Sequence, residues 1–166
     1  MKSSYKLSLA VAAALALSAC GQKEEPKKAE APKAAAEPTI IVKIAHAGPL
    51  TGGIAHLGKD DENGVALAIA QANAKGIKID GKLVKFEMMS EDDQADPKVG
   101  TTVAQKLVDA KVAAVVGPLN SGVTIPASEI YAKAGIPVIS GSATNPTLTE
   151  RGLKVVFRTV GRDDQQ

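Results

Sequence analysis

The stretch VAAVVGPLNSGVTIPASEIYAKAGIPVIS, residues 112–140, spells out one strand–helix–strand unit. Residues 112–116 are small or β-branched and apolar, as a strand buried on both faces requires. Gly117-Pro118-Leu119-Asn120-Ser121-Gly122 breaks the run. Residues 121–134 then read as a helix, and Gly135 stands where a left-handed residue closes it. Residues 136–140 return to an apolar strand ending in Ser140. Two strands joined through a helix must run parallel, because a tight turn can join only antiparallel neighbours.

The same alternation extends in both directions. Residues 40–47 are a β-branched apolar run and read as a strand, and residues 48–58 as a Gly-rich loop. Residues 59–73 read as a helix with Asp60, Asp61 and Glu62 in its first turn, where the helix dipole favours acids. Asp80-Gly81 is a hairpin dipeptide between strands at 77–79 and 82–89, the second presenting Val84, Phe86 and Met88 to one side. Asp96-Pro97 starts another helix, with Asp as N-cap and Pro at the first helical position, and Val99, Val103, Leu107 and Val108 form its apolar stripe. A short turn or helix around 147–151 precedes a last strand at 155–160. This order predicts an α/β fold: a parallel sheet with helices on both faces. In such sheets ligands sit outside the carboxyl ends of the strands at a topological switch point, which directs attention to loops 48–58, 90–96, 117–122 and 140–146.

The N-terminus has a different character. Lys2 and Lys6 precede an apolar core at 7–17, shorter than the roughly 20 residues a membrane span needs. Residues 1–20 therefore read as an export signal. Its end, Leu17-Ser18-Ala19-Cys20, resembles the lipobox of bacterial lipoproteins, which implies cleavage before Cys20 and lipidation of its thiol. Gly21 follows, in place of the Asp that favours inner-membrane retention. Residues 21–38 contain only Gly, Gln, Lys, Glu, Pro and Ala, cannot bury enough apolar surface to fold, and read as a tether. Residues 39–166 form the foldable part.

Several function classes are disfavoured. Cys20 is the one cysteine, which excludes a disulfide scaffold or thiolate metal cluster. Without the signal the chain has 18 basic and 18 acidic side chains, and its two Phe, two Tyr and no Trp give nucleic acid no stacking platform. Gly48-Pro49-Leu50-Thr51-Gly52-Gly53 lacks the lysine of a phosphate loop and the spacing of a dinucleotide fingerprint. It reads either as a flexible connection or as the wall of a small-ligand cleft. Glu91, Asp92, Asp93 and Asp96 read as a solvated loop with a helix cap rather than a metal site. His46 reads as a packed or capping residue at a strand end, and His56, in the Gly-rich loop, as a residue lining the cleft. No catalytic triad, metal ligand set or cofactor motif is present.

The remaining candidates are polar and small. Ser121 is a natural N-cap, and the helix it opens offers free N–H groups and a positive dipole end to a carboxylate. Ser140-Gly141-Ser142-Ala143-Thr144-Asn145-Pro146 places hydroxyls at the carboxyl end of the next strand, at the same sheet edge.

From Ile41 to Gln166 the chain resembles the leucine/isoleucine/valine-binding proteins of bacterial ABC importers, which are type I periplasmic binding proteins. The resemblance is carried by Gly48-Pro49-Leu50-Thr51-Gly52, Asn63-Gly64, Ala72-Asn73-Ala74-Lys75-Gly76, Asp92-Asp93-Gln94-Ala95-Asp96-Pro97, Gly117-Pro118-Leu119-Asn120-Ser121, Gly135-Ile136-Pro137-Val138-Ile139-Ser140 and Phe157-Arg158-Thr159, in family order. It implies two α/β lobes closing on an amino acid such as leucine, isoleucine or valine. It implies headgroup contacts from Ser121, Ser142 and Thr144, with backbone groups at Leu119 and Asn120. It also implies delivery to an ABC permease in the inner membrane by a monomer held at the membrane through its lipid anchor. Leu57, after His56, stands where the family tends to carry an aromatic, and Gly141 where it often carries proline; both bear on side-chain preference. The second lobe is not in these residues, so the resemblance implies an N-terminal fragment ending near the hinge. Other readings are a ligand-sensing lobe of a signalling receptor, a truncated product binding no tighter than about 4 kcal/mol, or an enzyme whose turnover Ser121→Ala would abolish.

Overall fold

The computed structural model describes residues 37–165. The expected signal, the lipidation site at Cys20 and residues 21–36 of the tether lie outside the described residues. Among the described residues are six strands and four helices, alternating except for one pair of consecutive strands. They are β1 (Thr39–Gly48), α1 (Ala55–Ala74), β2 (Lys78–Ile79), β3 (Lys82–Asp92), α2 (Pro97–Asp109) and β4 (Ala114–Val116). Then come α3 (Ser121–Ala134), β5 (Val138–Ser140), α4 (Thr147–Glu150), β6 (Val156–Arg158) and a 3₁₀ turn at Asp163–Gln165.

One sheet runs in the order β2-β3-β1-β4-β5-β6. Every neighbouring pair is parallel except the β2–β3 hairpin, whose turn carries Asp80 and Gly81 at positive φ, 50° and 74°. The α/β architecture expected from the sequence is therefore present. Strand edges differ: β3 runs on to Asp92, while β4, β5 and β6 keep three residues each of their apolar runs. The tether's last residues join the sheet, since Leu83 N–H donates to the Pro38 carbonyl.

Order and handedness together place the helices. The chain leaves β1, crosses to β3 on one side, and then returns past β1 to β4 and onward to β5. Right-handed crossovers in opposite directions put α1 on one face and α2 and α3 on the other. Packing agrees. On the α2–α3 face, Ala45, Ala47, Val115 and Val138 meet Val103, Leu107, Ala127 and Tyr131 in the main core. On the other face α1 lies over β1 and β3. The predicted α2 stripe is in place, with Val103 and Leu107 buried and Val99 and Val108 partly so. Asp96 caps this helix through bonds from Lys98 and Val99 N–H at 2.7 and 3.0 Å.

Helix α1 departs from expectation. It begins at Ala55 rather than at 59, so no acid lies in its first turn, and His56 and Leu57 are helical rather than loop residues. Within it the preceding loop comes close: a Cβ on Gly58 would stand 2.2 Å from the Pro49 carbonyl oxygen. Gly58 thus serves inside the helix, where the backbone of Pro49 can rest on it, rather than as a flexible hinge before it.

Candidate functional site

Strands β1 and β4 lie side by side, yet the helices that follow them leave on opposite faces. This is the switch point, and the loops beyond the carboxyl ends of β1, β4 and β5 form its rim. The loop after β1 is fastened by Asp92 at the end of β3. Its Oδ1 accepts from Leu50 N–H at 2.8 Å and from Gln94 N–H at 2.9 Å, and its Oδ2 accepts from the Thr51 hydroxyl. Burial alone would raise the Asp92 pKa, but these bonds outweigh it and hold the carboxyl below its ordinary value.

The loops after β4 and β5 are tied to each other. Ser140 Oγ donates to the Pro118 carbonyl at 3.2 Å and accepts from Ala143 N–H at 2.9 Å. Ser142 Oγ donates to the Leu119 carbonyl at 3.0 Å. Asn145 N–H donates to Ser121 Oγ at 3.2 Å. The structure therefore brings Leu119, Asn120, Ser121, Ser142 and Thr144 to one place, as the sequence suggested. Ser121, however, is not the cap of α3. Asn120 holds the N-cap position with no side-chain cap bond, and its carbonyl accepts from Val123 and Thr124 N–H, each at 2.9 Å. The Ser121 hydroxyl is instead turned to the β5 loop, because Ser121 is already the first helical residue.

His56 and Leu57 sit apart from this cluster on the exposed first turn of α1, Leu57 being 43% exposed. Among the described residues no hydrogen bond joins them to it. The acidic loop is spoken for by backbone donors: Asp92 as above, Asp93 by Ala95 N–H at 2.9 Å, and Asp96 by its cap. Glu91 pairs with Lys106 at 2.7 Å. Buried Asp93 keeps one oxygen without a partner, and burial raises its pKa.

Two charged residues near the site entered the sequence reading only through the resemblance, with no part in the site. Arg158, ending β6, donates through Nη1 to the carbonyls of Asn145 at 2.9 Å and Thr144 at 3.4 Å, and through Nη2 to Thr149 Oγ1 at 3.1 Å. Asp163 N–H also donates to the Thr144 carbonyl, at 3.1 Å. The available signal was a lone cation closing an apolar strand, which needs an anion or carbonyls to face.

A groove of about 490 Å³ lies between α1 and the sheet residues Ile44, His46, Phe86 and Val116, and reaches Gly117 and Gly141, where the β4 and β5 loops begin. It is mainly apolar, in contrast to the polar cluster of the loops. Among the described residues no helix is long and apolar enough to cross a membrane, and no group of His, Cys, Asp or Glu is placed to hold a metal ion.

The sequence from residue 41 to 166 matches the family described as periplasmic binding protein. The chain belongs to that family. It is 46% identical over 125 residues to Leu/Ile/Val-binding protein homolog 2 of Brucella abortus, covering 75% of this chain and 33% of that protein. It is 47% identical over 126 residues to an amino acid binding protein of Pseudomonas aeruginosa, with the same shares of 75% and 33%. Among solved structures it resembles the branched-chain amino acid transporter substrate-binding protein of Streptococcus pneumoniae in complex with isoleucine. That likeness has a TM-score of 0.68 and 36% identity, over 75% of this chain and 35% of the other. The chain thus spans about a third of the length of the relatives it matches.

Proposed function

We propose that the chain forms the headgroup-binding lobe of an extracytoplasmic solute receptor of an ABC importer. The receptor takes up branched-chain or related amino acids in a cleft between two lobes and delivers them to a permease, and Cys20 anchors it by lipid. The role is binding rather than catalysis. The observation that carries this reading is the tie between the β4 and β5 loops at the switch point, which gathers the Ser121 and Ser142 hydroxyls and Thr144 at the N-terminus of α3. A carboxylate there would meet the first N–H groups of α3, which have no intrahelical acceptor, together with the positive end of the helix dipole. Ser121 Oγ accepts from Asn145, so its own hydrogen remains to donate to the ligand. Leu57 and His56, at the mouth of the β1 loop, would meet the ligand's side chain once the cleft closes.

The reading is tested on the full-length gene product by thermal unfolding with leucine, isoleucine or valine. A ligand that binds only the native state stabilises it by about 2.7 kcal/mol at one hundred times its Kd. The expected outcome is a rise in Tm that Ser121→Ala reduces. No rise with any amino acid would sink the proposal.

A further inference from the structure

The Thr144–Asn145 peptide group is gripped from both sides. Its carbonyl oxygen accepts from Arg158 Nη1 at 3.4 Å and from Asp163 N–H at 3.1 Å. Its N–H, the other end of the same planar unit, donates to Ser121 Oγ at 3.2 Å. The guanidinium is itself held, donating to the next carbonyl, Asn145, at 2.9 Å and to Thr149 Oγ1 at 3.1 Å. A rigid planar fork with fixed donors sets the orientation of what it binds in a way a flexible ammonium does not. Turning this peptide would break bonds on both of its edges.

The bonds also form a directed chain. The Arg158 cation pulls electron density toward the Thr144 oxygen, which makes the Asn145 N–H a stronger donor. A Ser121 oxygen that receives a stronger bond becomes, in turn, a stronger donor through its own hydrogen. At the end of the chain stands the position proposed above for the ligand's carboxylate. We propose that Arg158 is a positioning residue of the ligand site, which orients and polarises the Ser121 hydroxyl through the Thr144–Asn145 peptide without touching the ligand. This inference rests on the reading of Ser121 as a headgroup contact. It accounts for an arginine at the end of an edge strand whose bonds go to loop carbonyls and a threonine hydroxyl rather than to a carboxylate.

The test is a double-mutant cycle on the full-length gene product: Kd for leucine by calorimetry for wild type, Arg158→Gln, Ser121→Ala and the double variant. It is run at a temperature where circular dichroism finds each ligand-free protein folded. Arg158→Gln is expected to raise Kd about tenfold, the scale of one charge-assisted hydrogen bond. In the Ser121→Ala background the same change is expected to have under about threefold effect, because the route to the ligand is already cut. A residue that merely supports the fold would lower Tm and leave Kd unchanged, and one acting through its bulk field would give additive effects; either result overturns the proposal. Should Arg158→Gln fail to fold, Arg158→Lys, which keeps the charge and loses the fork, enters the same cycle with the same criteria. If wild type binds none of leucine, isoleucine and valine, the receptor reading falls first and this inference with it. If wild type binds and the cycle is additive, only the role of Arg158 falls.

Discussion

His46 shows how a residue can be placed by its neighbours and still lack a partner. It is fully buried in β1, in register with Ser90 on one side and Val116 on the other. The carbonyls of Val116 and Gly58 and the carboxylates of Asp61 and Glu62 lie close enough to favour its charged form. Neither ring nitrogen meets any of them in hydrogen-bond geometry. Glu62 is already engaged, with Lys59 at 2.7 Å and with the Ser90 hydroxyl. Burial therefore dominates and lowers the His46 pKa below its ordinary 6.5. The sign follows. In the window below 6.5 the unfolded chain binds a proton that the folded one refuses, so stability is full above 6.5 and drains away as pH falls through the folded pKa. The urea midpoint of wild type should drop between pH 7 and pH 5, whereas that of His46→Leu should stay nearly level. Equal drops in both proteins would assign the acid sensitivity to another group. The sequence offered packing or capping for His46, an imidazole at the end of an apolar run, and burial settles it as packing. The sequence did not tell that the ring would lack hydrogen bonds, because that depends on how closely α1 settles on β1.

At the scale of elements, contact between backbones decides what a local pattern cannot. Helices α2 and α3 pack together on one face of the sheet, and Gly100 lies in their contact: a Cβ there would stand 2.3 Å from Val123 Cγ1. Val123 is buried and β-branched, with little rotamer freedom to move aside. Gly100→Ala should therefore destabilise by about 1–3 kcal/mol despite the better helix propensity of alanine. Adding Val123→Ala should recover part of that loss, as read by urea unfolding of the two variants. A Gly100→Ala protein as stable as wild type would mean that the helices can separate at little cost. The same logic explains which elements were legible. The start of α2 was readable because Asp96-Pro97 and an apolar stripe are local signals that tertiary contacts did not oppose. The start of α1 was misjudged because Gly52, Gly53 and Gly58 read as one flexible stretch, while Gly58 is a helical residue against which the Pro49 carbonyl rests. Ser121 was misjudged as a cap for a related reason: its hydroxyl has a tertiary partner in Asn145, and the N-cap position falls one residue earlier, on Asn120. The gathering of Ser121, Ser142 and Thr144 was legible nonetheless, since it needs only that consecutive parallel strands be neighbours. The grip of Arg158 on that cluster was not, because it depends on which loop carbonyls its side chain reaches.

Across the whole molecule the two faces of the sheet are unequal. One carries α2 and α3 and most of the buried apolar side chains; the other carries α1 over β1 and β3 alone. Along that second face the register sets His46, Val116, Ile139 and Phe157 in one row from β1 to β6. Burial falls along it, from His46 at 0% exposed to Ile139 at 37% and Phe157 at 50%. The alternation of strands and helices foretold helices on both faces but not this imbalance, which follows from the chain crossing β1 once in one direction and then continuing in the other. At its β5 and β6 end the row meets water. Such a patch binds apolar dyes and promotes self-association, since the driving force scales with apolar area removed from water. Phe157→Thr keeps a β-branched residue in the strand and removes the largest exposed ring of the row, so it should change stability by no more than about 0.5 kcal/mol. The expected readout is a marked drop in fluorescence of an anilinonaphthalene dye and a shift toward monomer in sedimentation, at an unchanged urea midpoint. Undiminished dye binding would place the apolar surface in the groove beside α1 instead, and Ile69, which lines that groove, would be the next residue to replace.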